Sequence, residues 1–237
     1  MRSKPPKAGR SESEAAQSPT DKPRDLSETP YLKFQLLSYN FSHTICKIKK
    51  NVICCFYMCK PLIKYRGGKS REIPHIEKHI PKFSGRYIEP FFGGGALYFY
   101  LEPKQAIIND INSKLMKFYD GVKNNYDSLR LELDEVEEIY EHNRKDFEDL
   151  KIKNPEIRVE DKNENFYYLI RNMYNNLTEK KYSDALIYFF INKTMYSGMI
   201  RYNAKGEFNV PYGRYPHLNT SIVTKAHSEL LSQFEIR

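Results

Sequence analysis

Large apolar side chains are almost absent from residues 1–30, a stretch of Ser, Pro, Lys and Glu. Such a segment cannot bury enough surface to offset its ordering entropy, and it is expected to be disordered. Residues 31–60 are more apolar but hold no clean period of 2 or 3.6, and they read as an appended N-terminal segment without chemistry of its own. A basic tail that binds a surface is the alternative there. Order is expected from Pro61 onward. Leu62-Ile63-Lys64-Tyr65 leads into Arg66-Gly67-Gly68-Lys69-Ser70, and a helix-like segment continues to about His79. Residues 86–89 read as a strand, 90–95 as a turn carrying three glycines, 96–101 as a helix start, and 105–109 as a second strand that runs into Asp110. Strand, glycine turn, helix, and strand with a terminal acid make the opening of a doubly wound α/β sheet. Residues 112–124 give the next helix.

From there the period becomes helical. Residues 126–152 predict a long acidic helix; within 126–149, ten Asp and Glu stand against three Lys and Arg. This reads as a solvated face rather than an acidic ligand site. Residues 165–175 and 183–195 predict two more helices. Their stripes, Phe166, Leu169, Ile170 and Met173 in one and Leu186, Phe189 and Phe190 in the other, are expected in the core. Residues 200–212 predict a β-hairpin turning at Ala204-Lys205-Gly206. A last helix over 222–234 precedes Glu235-Ile236-Arg237, which resembles the start of a strand.

Composition changes this picture only modestly. A net charge of +8 and a pI near 9.1 suit an anionic partner such as nucleic acid, and equally an ordinary basic surface. With 19 Tyr, 14 Phe and no Trp, the aromatics serve as core or as stacking surface, and composition does not decide between them. Cys46, Cys54, Cys55 and Cys59 match no zinc spacing and no disulfide framework, so no metal is implied and a reducing cytosol is the default. The apolar run from Val52 to Cys59 is too short to span a bilayer and too far from Met1 for a signal peptide, which places the protein in the cytoplasm with no membrane partner.

Chemistry enters at the glycines. Three of them after a strand let backbone approach a ligand closely. Asp110, at the end of the second strand, stands where nucleotide-binding sheets place the acid that accepts from ribose hydroxyls. Two readings stay open on the residues alone: an adenosine-type cofactor site, or Asp110 as a helix cap for the segment after Asn112 with Glu89 as a turn residue.

Four blocks, in order, resemble the Dam-like DNA adenine N6-methyltransferases. They are Lys64-Tyr65-Arg66-Gly67-Gly68-Lys69; Tyr87-Ile88-Glu89-Pro90-Phe91-Phe92-Gly93-Gly94-Gly95-Ala96-Leu97; Ile108-Asn109-Asp110-Ile111-Asn112; and the run from Tyr196 to Tyr215 that contains Gly206-Glu207-Phe208-Asn209-Val210-Pro211-Tyr212-Gly213. The resemblance covers about residues 61–237. It implies a Rossmann-like methyltransferase sheet, incomplete here, with a mainly helical target-recognition insertion. In those terms residues 61–125 are the cofactor-binding part, 126–220 the insertion with its hairpin, and 221–237 the return to the sheet. It also implies S-adenosylmethionine as methyl donor and double-stranded DNA as substrate. A restriction endonuclease of the same system is the implied companion, which no residue here specifies.

The family's cofactor contacts fall on Tyr65, where the family usually has Trp, and on Lys69, Glu89, Phe91, Gly93, Gly95 and Asp110. An aromatic face near the sulfonium would contribute on the order of 1 kcal/mol. Its DNA contacts fall on Lys193, Tyr196, Ser197, Arg201, Lys205, Pro211 and Arg214. Arg201 is the expected base reader, because a guanidinium can bond guanine O6 and N7 together. Tyr196 would wedge into the duplex as adenine is flipped, and Lys193, Lys205 and Arg214 would neutralise phosphates. The family's Asp-Pro-Pro-Tyr catalytic block is absent from these residues, since Val210-Pro211-Tyr212 belongs to the hairpin. The expectation is therefore a chain truncated before its catalytic block, with a non-catalytic fragment that retains cofactor or DNA binding as the alternative function. A different nucleotide-binding enzyme that shares only the glycine turn is the remaining rival, and the hairpin block argues against it.

Overall fold

The computed structural model describes residues 59–233 and 235–236. The chain divides into two units, Met1–Phe56 and Tyr57–Arg237, and every described residue belongs to the second. The expectations for the N-terminal segment, for Cys46, Cys54 and Cys55, and for the apolar run up to Met58 lie outside the described residues.

The first helix, α1 (Ile73–Ile76), is one turn long and passes into a 3-10 turn at Glu77–His79. The sequence pattern suggested a longer helix there, but Pro74 supplies no amide and no side chain caps the start. Strand β1 (Tyr87–Glu89) then enters the glycine turn, followed by α2 (Ala96–Leu101) and β2 (Ala106–Ile108). Helices α3 (Ser113–Asn124), α4 (Tyr126–Lys153), α5 (Lys162–Tyr174), α6 (Asp184–Thr194) and α7 (Lys225–Ser232) follow, and β3 (Glu235–Ile236) comes last. The three strands form one parallel sheet in the order β1-β2-β3, with Ile108 paired to Glu89 on one side and Ile236 on the other. The protein is thus helix-rich around a small parallel sheet.

Polar residues mark the helix starts. Asn112, Asp161 and Ser183 precede α3, α5 and α6 and accept from the amides of Leu115, Asn163 and Leu186. The core between the helices is largely aromatic. Phe92 meets Tyr119 edge-on at 4.7 Å and Tyr98 at 5.3 Å, and Phe118 stacks near Tyr188 at 5.8 Å. Burying each such ring contributes roughly 1.5–3 kcal/mol. Helix α6 is buried on nearly every side, from Ala185 through Asn192. Its close approach to α3 depends on Gly121, where any Cβ would collide with the Cβ of Ala185.

Three expectations are corrected. Leu169, expected in the core, is 47% exposed; Tyr167 and Tyr174 hold the inner face of α5 instead. Helix α4 buries Leu129, Leu133, Val136 and Tyr140, but its acidic face is not merely solvated. Glu132 accepts from the Ser183 amide and hydroxyl, Glu137 from the Thr220 hydroxyl at 2.6 Å, and Glu135 pairs with Lys181 at 2.6 Å. The acids fasten the two connections that cross them. The hairpin over 200–212 is also less regular than expected. It has two isolated antiparallel bridges, Met195 with Tyr212 and Tyr202 with Phe208, and no continuous ladder. The turn does fall at Ala204–Gly206, where Asn203 Oδ1 accepts from the amides of both Lys205 and Glu207. Pro211 has no amide to donate, and the left-handed Ser197 and Gly198 interrupt the first arm. Among the described residues no helix is long and apolar enough to cross a membrane, and no three His, Cys, Asp or Glu side chains are grouped to hold a metal ion.

Candidate functional site

Because β1 and β2 run parallel, their last residues, Glu89 and Ile108, end on the same edge of the sheet, where open α/β sheets hold ligands. The turn after β1 and the segment after β2 meet there. Phe92 donates its amide to Asn109 O at 2.9 Å, and Asn109 donates to Glu89 O at 3.0 Å. Asp110 fixes the arrangement: Oδ2 accepts from the Gly93 amide at 2.8 Å and Oδ1 from the Asn112 amide at 2.9 Å. The helix cap is Asn112, so the alternative of Asp110 as cap for α3 is set aside. Each Asp110 oxygen still has a lone pair to offer, and a carboxylate can accept about four hydrogen bonds.

Tyr65 lies directly on the glycine turn. Gly93 has φ +50°, and a Cβ there would stand 2.8 Å from Tyr65 Cε1; one on Gly94 would stand 3.1 Å from Tyr65 Cβ. The turn is therefore a backbone surface with a ring laid across it. Burial and the nearby Asp110 charge raise the Tyr65 hydroxyl pKa, so it stays protonated. Glu89 accepts from the Tyr87 hydroxyl at 2.8 Å, and burial pushes its carboxyl up to about 6, with that hydrogen bond opposing. Phe91 is 86% exposed while its neighbour Phe92 is buried, and Ile111, directly after Asp110, is 98% exposed. Two large apolar side chains thus flank the turn uncovered. Lys69 is exposed, and its backbone carbonyl accepts from the amides of Glu72 and Ile73. Among the described residues no contact of its side chain ties it to the turn, unlike Tyr65, Gly93 and Asp110, which the fold brings together.

The hairpin begins at the end of α6. Lys193, in the last turn, is partly buried beside the Phe189 ring, and burial with the neighbouring Lys64 charge depresses its ammonium to about 8. Tyr196 and Pro211 are exposed side by side, joined by the Tyr196 amide and the Pro211 carbonyl at 2.9 Å. Ser197 and Arg214 both hold positive φ, two of four such non-glycine residues in the described chain, so backbone strain brackets the hairpin. Arg201 is exposed and rests on Asn209, with Nε to Oδ1 at 2.9 Å. Lys205 is exposed at the tip. Arg214 pairs with Glu164 of α5 at 3.0 Å.

A cleft of about 220 Å³ joins the two regions, lined by Lys64, Tyr65, Arg66, Asn112, Gly198, Met199 and Ile200. A larger cleft of about 600 Å³ lies between the ends of α4 and α5 and touches only Arg214 of the expected residues. The smaller one is the better candidate because it is lined by Tyr65, whose ring lies on the glycine turn. Lys64, Ile111 and Asn112 were not singled out individually by the sequence. An isoleucine and an asparagine directly after the strand-ending acid were the signal available for two of them.

The match to known proteins follows the same residues. The family model described as D12 class N6 adenine-specific DNA methyltransferase matches residues 65–234. A protein named type II methyltransferase M.MjaIII, from Methanocaldococcus jannaschii, is 40% identical over 192 residues, covering 75% of this chain and 61% of that protein. Type II methyltransferase M1.LlaDCHI from Lactococcus lactis subsp. cremoris is 32% identical over 175 residues, covering 74% and 54%. A DNA adenine methylase from Serratia marcescens is 34% identical over 156 residues, covering 66% and 50%. The chain spans between half and about three-fifths of the length of these relatives. With a ring laid across its glycine turn, a carboxylate holding that turn, and a family match that runs through both and on to the far side of the hairpin, the chain belongs to the D12 class N6 adenine-specific DNA methyltransferases.

Proposed function

We propose that this chain binds S-adenosylmethionine at the strand-end edge of a Rossmann-like sheet and double-stranded DNA along its hairpin, in the service of methyl transfer to the amino group of adenine. The observation that carries the reading is the Tyr65 ring on the Gly93–Gly94 backbone, with Asp110 bonded to the Gly93 amide. On this reading residues 61–125 form the cofactor part, 126–220 a helical recognition insertion and 221–237 a return to the sheet.

The donor's sulfonium supplies an electrophilic methyl group. This chain's residues do the rest. Asp110 would accept from ribose hydroxyls, Phe91 and Ile111 would lose their exposure against the bound molecule, and Gly93 and Gly95 would let backbone approach it. Tyr65 would offer a ring face to the cation. Lys69 and Glu89 are further contacts on family grounds; Glu89, with its raised pKa, is held where its protonation state can change near neutrality. On the DNA side Tyr196 would fill the space left by a flipped adenine, with Ser197 and Pro211 beside it. Arg201 would exchange Asn209 for a base edge, and Lys193, Lys205 and Arg214 would meet phosphates. The type II names of two relatives support a restriction–modification setting with a restriction endonuclease as companion.

The 237 residues contain no Asp-Pro-Pro-Tyr run, so binding and transfer are measured separately. Calorimetry of the full chain with S-adenosylmethionine should show saturable binding, and Asp110→Ala should weaken it by roughly 1–3 kcal/mol. Tritiated donor incubated with adenine-containing duplex reads transfer directly. Absence of donor binding in the folded chain sinks the proposal. Donor and DNA binding without incorporation would favour the second reading, a recognition module that does not itself transfer.

A further inference from the structure

Asn192 is 2% exposed, in the last turn of a helix whose other buried side chains are nearly all apolar. Both ends of its amide are used on one residue. Oδ1 accepts from the Lys64 amide at 2.8 Å, and Nδ2 donates to the Lys64 carbonyl at 2.7 Å, across 128 positions of sequence. A buried amide is costly unless satisfied, and here it is satisfied by a single backbone unit, in the manner of a strand partner.

That unit lies between two working parts. On one side of Lys64 is Tyr65, packed on the glycine turn. On the other side is the hairpin. The Lys64 ammonium sits 4.0 Å over the Tyr215 ring, the Lys64 side chain runs past Gly198, and the Arg66 guanidinium reaches Met199 Sδ at 3.2 Å. Asn192 itself is two residues from Thr194, whose carbonyl accepts from the Gly213 amide where the two arms of the hairpin close. Asn192 therefore ties the backbone next to Tyr65 to the helix end from which the hairpin starts.

We propose that Asn192 is a positioning residue that makes occupation of the cofactor cleft and engagement of DNA by the hairpin depend on each other. The inference rests on the functional reading above, and goes beyond it in tying the two sites together through one side chain. Linkage requires the effect to be reciprocal: whatever factor the donor site adds to DNA affinity, DNA adds to donor affinity.

The test uses the full chain, S-adenosylhomocysteine as a non-reactive ligand, and a fluorescent duplex pool with a randomised core. Each ligand is titrated alone, then each in the presence of the other. The expected coupling is about fivefold or more. Asn192→Leu keeps the approximate volume and removes both bonds; it should bind each ligand singly while the coupling factor falls to about one. A merely structural Asn192 would lower the melting temperature and leave the factor unchanged, and that result overturns the proposal. Hydrogen exchange on the unsubstituted chain keeps the test alive if the variant does not fold. DNA alone should slow exchange in residues 62–68, and S-adenosylhomocysteine alone should slow it in 195–213. No cross-protection in either direction overturns the coupling even where both ligands bind. Failure of the single titrations instead removes the functional reading on which it stands.

Discussion

At the scale of single residues, the turn at 93–95 is decided by what lies against it. Gly93 combines a left-handed φ with a ring where its Cβ would be. Gly93→Ala should cost about 1–3 kcal/mol through backbone strain, as read by chemical denaturation, and it should push Tyr65 off the turn. On the proposed function its affinity for S-adenosylhomocysteine should fall at least as far as that of Asp110→Ala. Glu89 makes a prediction in pH. Its carboxyl is raised from 4.5 to about 6, so the folded state holds the proton more tightly than the unfolded chain. The stability this contributes is present in full below pH 4.5 and is lost as pH rises through about 6. Glu89→Gln should flatten that part of the melting-temperature profile. A profile unchanged by the substitution would place the pH dependence elsewhere.

Among the elements, α6 both fills the core and delivers the hairpin, and Lys193 sits where those tasks meet. Its ammonium is depressed from 10.5 to about 8 by burial and by Lys64. For this group the contribution to stability is present above pH 10.5 and is lost as pH falls through about 8, so the charged form is carried at a cost in the free protein. Lys193→Met should raise stability at pH 7 by roughly 1–3 kcal/mol, since each tenfold loss of proton affinity on folding corresponds to about 1.4 kcal/mol. If the lysine meets a phosphate, the same substitution should weaken DNA binding and reduce the slope of log affinity against log salt by about one. Gain in stability together with loss in binding separates a functional lysine from a misplaced one. Helix α4 shows the converse case, in which residues of one charge are consumed structurally: Glu132, Glu135 and Glu137 tie down the segments at 181–183 and Thr220.

For the whole molecule, charge sets how DNA would be met. The net charge of +8 includes a strongly acidic α4, so the positive potential is displaced from that helix. Of the cationic hairpin residues, Lys205 is exposed at the tip while Arg214 is already paired with Glu164. Glu164→Gln should release Arg214 and tighten binding to duplex of any sequence by a few-fold at low salt. The gain should vanish as ionic strength rises, since surface pairs contribute only about 0–1 kcal/mol and are screened. Fluorescence anisotropy across a salt series measures both effects. Tightening that persists at high salt would mean that Glu164 acts through shape rather than charge.

The sequence by itself determined the elements and the family. The glycine turn, the helix beginning at Ala96 and the strand ending before Asp110 are local matters of propensity and spacing, and they stand where the pattern placed them, whereas the cap of the next helix is Asn112 and not the Asp110 that the residues alone had offered. The order of the four blocks was equally legible, because a family signature is written in linear sequence. Tertiary structure alone decided what depends on contact between distant residues. Leu169 follows the right period but lies on the outer side of α5, because periodicity names a stripe and not its partner. The acidic helix reads as solvated until the segments that cross it are in place. The hairpin loses its ladder where Pro211 has no amide to give and where Ser197 and Gly198 turn left-handed. Asn192 reads as an ordinary polar residue near a helix end until Lys64, 128 positions away, is seen to take both of its hydrogen bonds. Local rules act over a few residues, whereas burial and hydrogen-bond satisfaction are settled only when the chain has closed on itself.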